Sequence, residues 1–241
     1  MKKKTVYWAP WYILQDMYNW NILFLEPKRL LNNVIDETKD LKCERVKNMW
    51  KCPAFNNLGK NTFYVENPLA TEFDIVDNPE KGKELVHRGQ HKYLCQLSKN
   101  GNTFIYGLNY IFFCEDDLEI MLTSPHFSKN VNHTKYARLV PGRFNISKWF
   151  RPISLEMLFD DNQTHFRMEE YEHMAYFHFL TDDVVELKRF DLNDNLRKIS
   201  ETCSDVSTWW SSVPLVNRYE RFLKTKTNKL VITEIKKQLV D

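Results

Sequence analysis

The chain has 241 residues, of which 43% are hydrophobic, 14% aromatic and 27% charged, and its formal net charge is +2. This composition is typical of a soluble globular protein with a substantial core, and it excludes a disordered chain. The longest apolar runs are far shorter than the ~20 residues that cross a bilayer, so we expect no membrane association.

The hydrophobic pattern along the chain predicts strands followed by helices. An aromatic N-terminal stretch around Pro10 is expected in the core, and Pro27 could start a helix over residues 27–37. Alternation of apolar and polar residues predicts strands over 62–65, 72–76, 103–114, 118–123, 153–159, 166–168, 174–180 and 184–190. Residues 78–90 are polar and contain Pro79 and Gly82, which predicts a surface loop.

After residue 191 the periodicity becomes helical. Asn193 and Asn228 are candidate N-caps for two helices within residues 193–240. We therefore predict a mainly β fold of the α+β class, an antiparallel sandwich or jelly-roll-like barrel with a C-terminal helical tail. The chain is interpreted as one domain, with a β-rich core over 52–190 and the tail over 191–241.

The common catalytic and nucleotide-binding motifs are missing from the sequence. There is no P-loop, no G-x-G-x-x-G and no G-x-S-x-G, and the chain has only six glycines. Its five cysteines are odd in number and widely spaced, which indicates reduced thiols and a cytoplasmic protein. No cofactor is indicated by any motif.

Five neighbouring side chains resemble the mixed carboxylate and imidazole ligands that hold a metal in cupin-like folds: Glu169, Glu170, Glu172, His173 and His178. On a continuous strand, however, positions 173 and 178 differ by five and point to opposite faces. A β-bulge would bring them onto one face. We therefore predict no metal site, and keep Glu169, His173 and His178 as candidates for ligand binding.

The segment over residues 141–152 combines basic and aromatic side chains in a turn-rich stretch before a strand. Guanidinium groups beside aromatic faces can hold a carboxylate, a phosphate or a planar ring, so Arg143, Trp149 and Arg151 are candidate ligand-binding residues. The alternative is structural: Trp149 and Phe150 fill one end of a barrel, and the two arginines pair with carboxylates such as Glu169 or Asp182.

The C-terminal tail is locally basic, with Tyr219 and Phe222 among its lysines and arginines. A solvated helix face explains this pattern, and the near-neutral charge of the whole chain does not favour nucleic acid as a partner.

Three stretches together resemble a protein family encoded by marine tailed bacteriophages. They are Cys52-Pro53-Ala54-Phe55 followed by Asn67-Pro68, residues 145–152 with their Lys-Trp-Phe-Arg-Pro core, and Trp209-Trp210. No activity is assigned to that family, so the resemblance implies a phage-encoded protein in the host cytoplasm or the virion but no site residues. Pro141-Gly142 and the strands over 154–159 and 174–180 are also similar to the dUTPase-like and dCTP-deaminase-like β folds.

Three functions are compatible with these observations. The first is a non-catalytic protein that binds a host or phage protein, or a small anionic ligand, through the Trp149 and Arg151 region. The second is an enzyme on a small anionic or polar substrate, with a cupin-like or dUTPase-like fold and with or without a metal. The third is a structural component of the virion.

Overall fold

The computed structural model describes residues 2–12, 24–38, 51–80, 82–88, 94–98, 102–128, 131–204 and 215–240. Strands predominate, the curled sheets form a half-barrel, and several helices lie near the C-terminus, which confirms the predicted fold class. No helix within these ranges has the length and apolar character needed to span a membrane.

The strands are β1 (Lys3–Tyr12), β2 (Lys28–Arg29), β3 (Thr62–Glu66), β4 (Thr71–Asn78), β5 (Gly82–His87), β6 (Cys95–Leu97), β7 (Thr103–Cys114), β8 (Glu119–Thr123), β9 (Ala137–Leu139), β10 (Gly142–Asn145), β11 (Pro152–Phe159), β12 (His165–Met168), β13 (His173–Phe179) and β14 (Val184–Arg189). The helices are α1 (Leu30–Thr38), α2 (Pro53–Lys60), α3 (Asp194–Ser204), α4 (Leu215–Lys224) and α5 (Thr227–Ile235), with a 3-10 turn at His133–Lys135.

Three sheets enclose the core. The first has the order β14-β1-β7-β11-β9, with β6 also paired to β7; the second has the order β10-β8-β13-β3-β2; and the third has the order β12-β4-β5. Most pairs are antiparallel, but β1 and β14 run parallel, in a register that opposes Lys3 to Val184 and Trp8 to Arg189. The two ends of the β region therefore lie side by side in one sheet.

Strand β1 shows how the first sheet separates two apolar cores. Val6 and Trp8 enter the main core between the sheets, whereas Tyr7, Ala9 and Trp11 face a second core on the outer side. Because both faces are covered, residues 6–12 of the strand form a continuous apolar run instead of alternating with polar residues. The predicted core position of this stretch is confirmed for the side chains that the structure describes.

The helical tail covers that outer face. Side chains of α3, α4 and α5, including Leu196, Phe222 and Val231, complete the second core. Asn193 caps α3 as predicted, because its Oδ1 accepts a hydrogen bond from Leu196 N at 2.9 Å. Asn228 is not a cap: α5 begins one residue earlier, and its N-cap is Lys226 with φ 54°.

Several short elements differ from the sequence prediction. Residues 82–87 form β5, paired to β4 through a turn in which Gly82 takes φ 81°, so the predicted loop over 78–90 is wrong in this part. Residues 53–60 form α2, which Pro53 starts at the first helical turn. The helix predicted over 27–37 begins at Leu30. Trp209 and Trp210 lie outside the described residues.

Candidate functional site

The six candidate residues fall on separate parts of the fold. Arg143 lies on β10, its side chain is 63% exposed, and its guanidinium pairs with Glu119 on β8. Glu169 lies in the turn before β13 and accepts a hydrogen bond from Arg167 Nε at 2.6 Å. These two residues therefore form surface ion pairs, in partnerships other than those predicted for them.

His173 and His178 lie on the same face of β13, because the strand contains the bulge that was the stated exception to opposite faces. The pairing of β13 with β3 shifts register between His173 and Ala175, and both Met174 and Ala175 enter the main core. This bulge restores His173 to the face of Tyr176, whose ring centroid lies 6.1 Å from that of His173 and 6.2 Å from that of His178.

His178 is held between two threonines. Thr62 donates its hydroxyl proton to the carbonyl of Leu58, so its Oγ1 accepts from His178 Nδ1 at 2.7 Å. Nε2 of the imidazole then accepts from Thr123 Oγ1 at 2.8 Å. Burial, with a smaller contribution from the nearby His126, lowers the pKa of His178 to about 4, so the ring is neutral at physiological pH.

His173 is also neutral and buried. Its ring stacks on Tyr64 with centroids 3.9 Å apart, and burial, aided by the positive charge of Lys28, lowers its pKa to about 4. The two histidines are separated by Tyr176 and do not share a ligand position. In the ranges that the structure describes, no three His, Cys, Asp or Glu side chains are placed to hold one metal ion.

Glu172 belongs to the set of carboxylates and imidazoles considered for a metal, but its buried contact with His133 was not predicted. Both side chains are fully buried, and Glu172 Oε1 accepts from the backbone N of His133 at 2.6 Å and from its Nδ1 at 2.7 Å. Oε1 also accepts from Asn132 N, and Oε2 from Glu169 N at 2.9 Å. Burial alone raises the pKa of Glu172, but these hydrogen bonds outweigh it and hold the pKa below its usual value. The carboxylate thus joins two turns of the fold.

The turn that presents Trp149 is fixed by polar contacts at its base. Asp117 accepts from Asn145 Nδ2 at 2.7 Å and lies 3.2 Å from Lys148 Nζ, and these hydrogen bonds lower the pKa of its carboxyl group. Asn145 Oδ1 in turn accepts from Ser147 Oγ at 2.7 Å. The chain then leads inward to Phe150, which is fully buried between Phe113 and Phe190.

Trp149, Arg151 and Tyr219 meet at this point, and we refer to them as the donor cluster. The ring of Trp149 is 4% exposed, and its centroid lies 4.2 Å from that of Tyr219 on α4. The guanidinium carbon of Arg151 lies 5.9 Å from the Trp149 ring. The two neighbours predicted from the sequence are therefore brought together, and Tyr219 joins them.

Two members of the donor cluster, Trp149 and Arg151, have no hydrogen-bond acceptor or ion-pair partner among the described residues. Trp149 Nε1 is buried without a hydrogen-bond partner, and no described carboxylate forms an ion pair with the partly buried Arg151. Burial raises the pKa of Tyr219, although Arg151 opposes that shift, so its hydroxyl stays protonated and able to donate. An anionic group is the chemistry that such a site can accept.

Tyr219 was visible in the sequence only as an aromatic residue within the basic tail. Nothing in the local pattern indicates that it meets Trp149, because the contact depends on how the tail folds back over the first sheet.

Comparison of the chain with protein-family models, with curated proteins and with solved structures gives no match.

Proposed function

We propose that this protein is a non-catalytic binding protein that holds an anionic group of its ligand or partner at the donor cluster. The observation that carries the proposal is that Trp149 Nε1 is buried without an acceptor among the described residues, while the Arg151 guanidinium and the Tyr219 ring lie beside the Trp149 ring. A carboxylate or phosphate oxygen would accept from these groups.

The energetic reason is the cost of a buried donor that has no partner. Leaving a buried N–H unsatisfied costs about 1–3 kcal/mol, and a hydrogen bond to a charged acceptor recovers that cost and adds to it. The Arg151 guanidinium also offers two parallel N–H groups, a geometry that suits a planar carboxylate or a phosphate. Binding an anion would therefore supply the acceptor that Trp149 Nε1 does not find among the described residues.

Under this proposal the anion belongs to a small molecule or to a host or phage protein, in the host cytoplasm or the virion. The resemblance to phage-encoded proteins is the support for this setting. The probes distinguish a phosphate acceptor from a carboxylate acceptor. Inorganic phosphate and acetate each present an acceptor group without any further contact.

The experiment is a titration of the protein, labelled with nitrogen-15, by phosphate or acetate. The Trp149 indole resonance is identified by its loss in Trp149→Phe. We expect this resonance to move downfield and saturate as the anion accepts its N–H. Arg151→Gln is expected to raise the Kd obtained from this titration at least about tenfold, because one charge-assisted hydrogen bond is worth about 1.5–3 kcal/mol.

Arg143→Gln is the matched control, since it removes an exposed guanidinium that already pairs with Glu119. It is expected to keep the affinity of the unmodified protein. Tyr219→Phe should weaken binding less than Arg151→Gln does. An indole resonance that neither probe moves, or equal affinity in Arg151→Gln, would show that the donor cluster is not an anion site.

A further inference from the structure

Strand β5 is the last strand of the third sheet, and it pairs on one side with β4. In the order β12-β4-β5, no other strand that the structure describes pairs with its far side. Arg88 N, just after the strand, donates to Glu72 O of β4 at 3.0 Å. Because the backbone groups of an antiparallel strand alternate in direction, those of Leu85 and His87 point away from β4. They make no backbone hydrogen bond with any described residue.

Strand β14 also has six residues and lies at the end of a sheet, but its free side is covered. Val185 N donates to Asn61 Oδ1 at 3.1 Å, and Val185 O accepts from Arg29 Nη2 at 2.7 Å. Further along, Arg189 O accepts from Val240 N at 3.1 Å. The other strands at sheet ends have four residues or fewer. Among the described strands, β5 therefore has the longest uncovered edge.

Three side chains beside this edge share the outer face of the third sheet, and we refer to Glu84, Val86 and Arg88 as the β5 edge. Leu85 packs against the main core, so its neighbours along the strand face outward. Val86 is 49% exposed and lies opposite Asp74 in the register with β4. Arg88 Nη2 pairs with that same carboxylate at 2.7 Å. The β5 edge thus runs from an acidic through an apolar to a basic side chain.

An antiparallel second copy of β5 matches this order. When Val86 lies opposite Val86 of the second copy, Glu84 of each copy lies opposite Arg88 of the other. Leu85 and His87 then form the hydrogen-bonded pairs, as the direction of their uncovered backbone groups requires. A pairing centred on residue 84 or 88 would oppose like charges, and one centred on 85 or 87 would oppose Val86 to a charge.

We propose that the β5 edge docks a second copy of this chain, strand beside strand, about a two-fold axis at Val86. The pairing satisfies the uncovered backbone groups of both copies and joins their third sheets into one. An unrelated extended peptide could use the same backbone groups, but the order of charges fits its own reverse. The proposal goes beyond anion binding at the donor cluster and uses none of its residues, so either can fail without the other.

The first test is disulfide cross-linking with oxidised glutathione, in a Cys52→Ser background because Cys52 is exposed. A pair without hydrogen bonds, such as Val86 with its copy, has Cα atoms about 4.5 Å apart, which a disulfide can span. Val86→Cys is therefore expected to give a covalent dimer. Val76→Cys is the matched control, since Val76 is exposed on the same face but lies on β4, one strand away from the edge. It should stay monomeric.

The second test is sedimentation equilibrium, which gives the Kd of the dimer. Glu84→Arg is expected to raise this Kd at least about tenfold, because arginines then face each other on both sides of the axis. Arg88→Glu opposes glutamates with the same effect, and thermal unfolding checks that it still folds without its ion pair to Asp74. An equimolar mixture of the two variants should dimerise again, since every facing pair is then of opposite charge.

Three results would overturn the proposal. One is equal cross-linking of Val86→Cys and Val76→Cys, which would indicate random collision. Another is a monomer at every concentration measured. The third is a dimer that Glu84→Arg leaves as tight as the unmodified one, or a mixture of the charge variants that associates no better than either alone.

Discussion

The imidazole Nδ1 of His133 lies 2.7 Å from Oε1 of Glu172, and neither side chain is exposed to solvent. The same carboxylate accepts three backbone N–H groups, so it satisfies donors from two turns at once. A buried carboxylate with this many donors is costly to change, because its removal leaves each of them unpaired.

Replacing Glu172 by Gln is therefore expected to lower the free energy of unfolding by about 2–4 kcal/mol. The amide offers one acceptor oxygen in place of two and brings an NH₂ group towards existing donors. Urea denaturation measures the change. Glu170→Gln, an exposed change in the same turn, is the control and should stay within about 0.5 kcal/mol. Equal stability of the two variants would contradict this role.

Because of the Glu172 carboxylate, we also expect the free energy of unfolding to fall at acid pH. Its folded pKa lies below the unfolded value of 4.5, so its contribution to stability is complete above that pH. It is lost as the pH falls through the lower folded pKa. Denaturation curves recorded between neutral and acid pH should show this loss for the unmodified protein and a shallower loss for Glu172→Gln.

Because of His178, we expect the free energy of unfolding to depend on pH in a higher range than the one set by Glu172. Its pKa falls from 6.5 in the unfolded chain to about 4 in the fold. The unfolded state therefore binds a proton first, and stability is full above pH 6.5 and falls towards pH 4. Replacing His178 by Gln should remove roughly 2–3 kcal/mol of this pH-dependent loss. The measurement is the free energy of unfolding at several pH values in that window.

Thr123→Val is the control for His178. It removes the hydrogen bond to Nε2 but keeps the imidazole, so it should lower stability while retaining the steep dependence on pH. If the slope between pH 6.5 and 4 is the same in His178→Gln as in the unmodified protein, another group causes it.

Two glycines should respond in opposite ways to alanine. At Gly142 an added Cβ would lie 2.5 Å from the Phe144 ring, so the ring must move, and we expect a loss of about 1–2 kcal/mol. At Gly59, within α2, the nearest atom is 3.6 Å away, so alanine should add about 0.5–1 kcal/mol through its helix propensity. Paired thermal unfolding of the two variants checks both signs.

We expect the cysteines to react with a thiol reagent at different rates, according to their exposure. Cys52 is exposed, whereas Cys95, Cys114 and Cys203 are buried, and burial raises the pKa of Cys203 to about 11. We expect Cys52 to react in a fast phase at mild alkaline pH and these three thiols to react only as the protein unfolds. Cys52→Ser should remove part of the fast amplitude; an unchanged amplitude would show that Cys52 is protected.

The long strands could be predicted from the sequence because their signal is local. Residues 103–114 were predicted as a strand with the bounds that β7 has, since alternating apolar side chains reflect the period of an extended chain. Strand β5 could not be found in this way. It exists because it pairs with β4, and its own residues are polar and half-exposed.

The candidate site likewise has features that depend on local sequence and features that depend on contacts between distant segments. The β-rich class, the helical tail and the proximity of Trp149 to Arg151 could be predicted, because they depend on periodicity and on neighbours along the chain. Tertiary packing brings Tyr219 to Trp149 and pairs Arg143 with Glu119, and strand pairing with a bulge at Met174 puts two histidines on one face. Such contacts form when distant segments pack or pair, and their register is set by the whole core, so no local pattern encodes them.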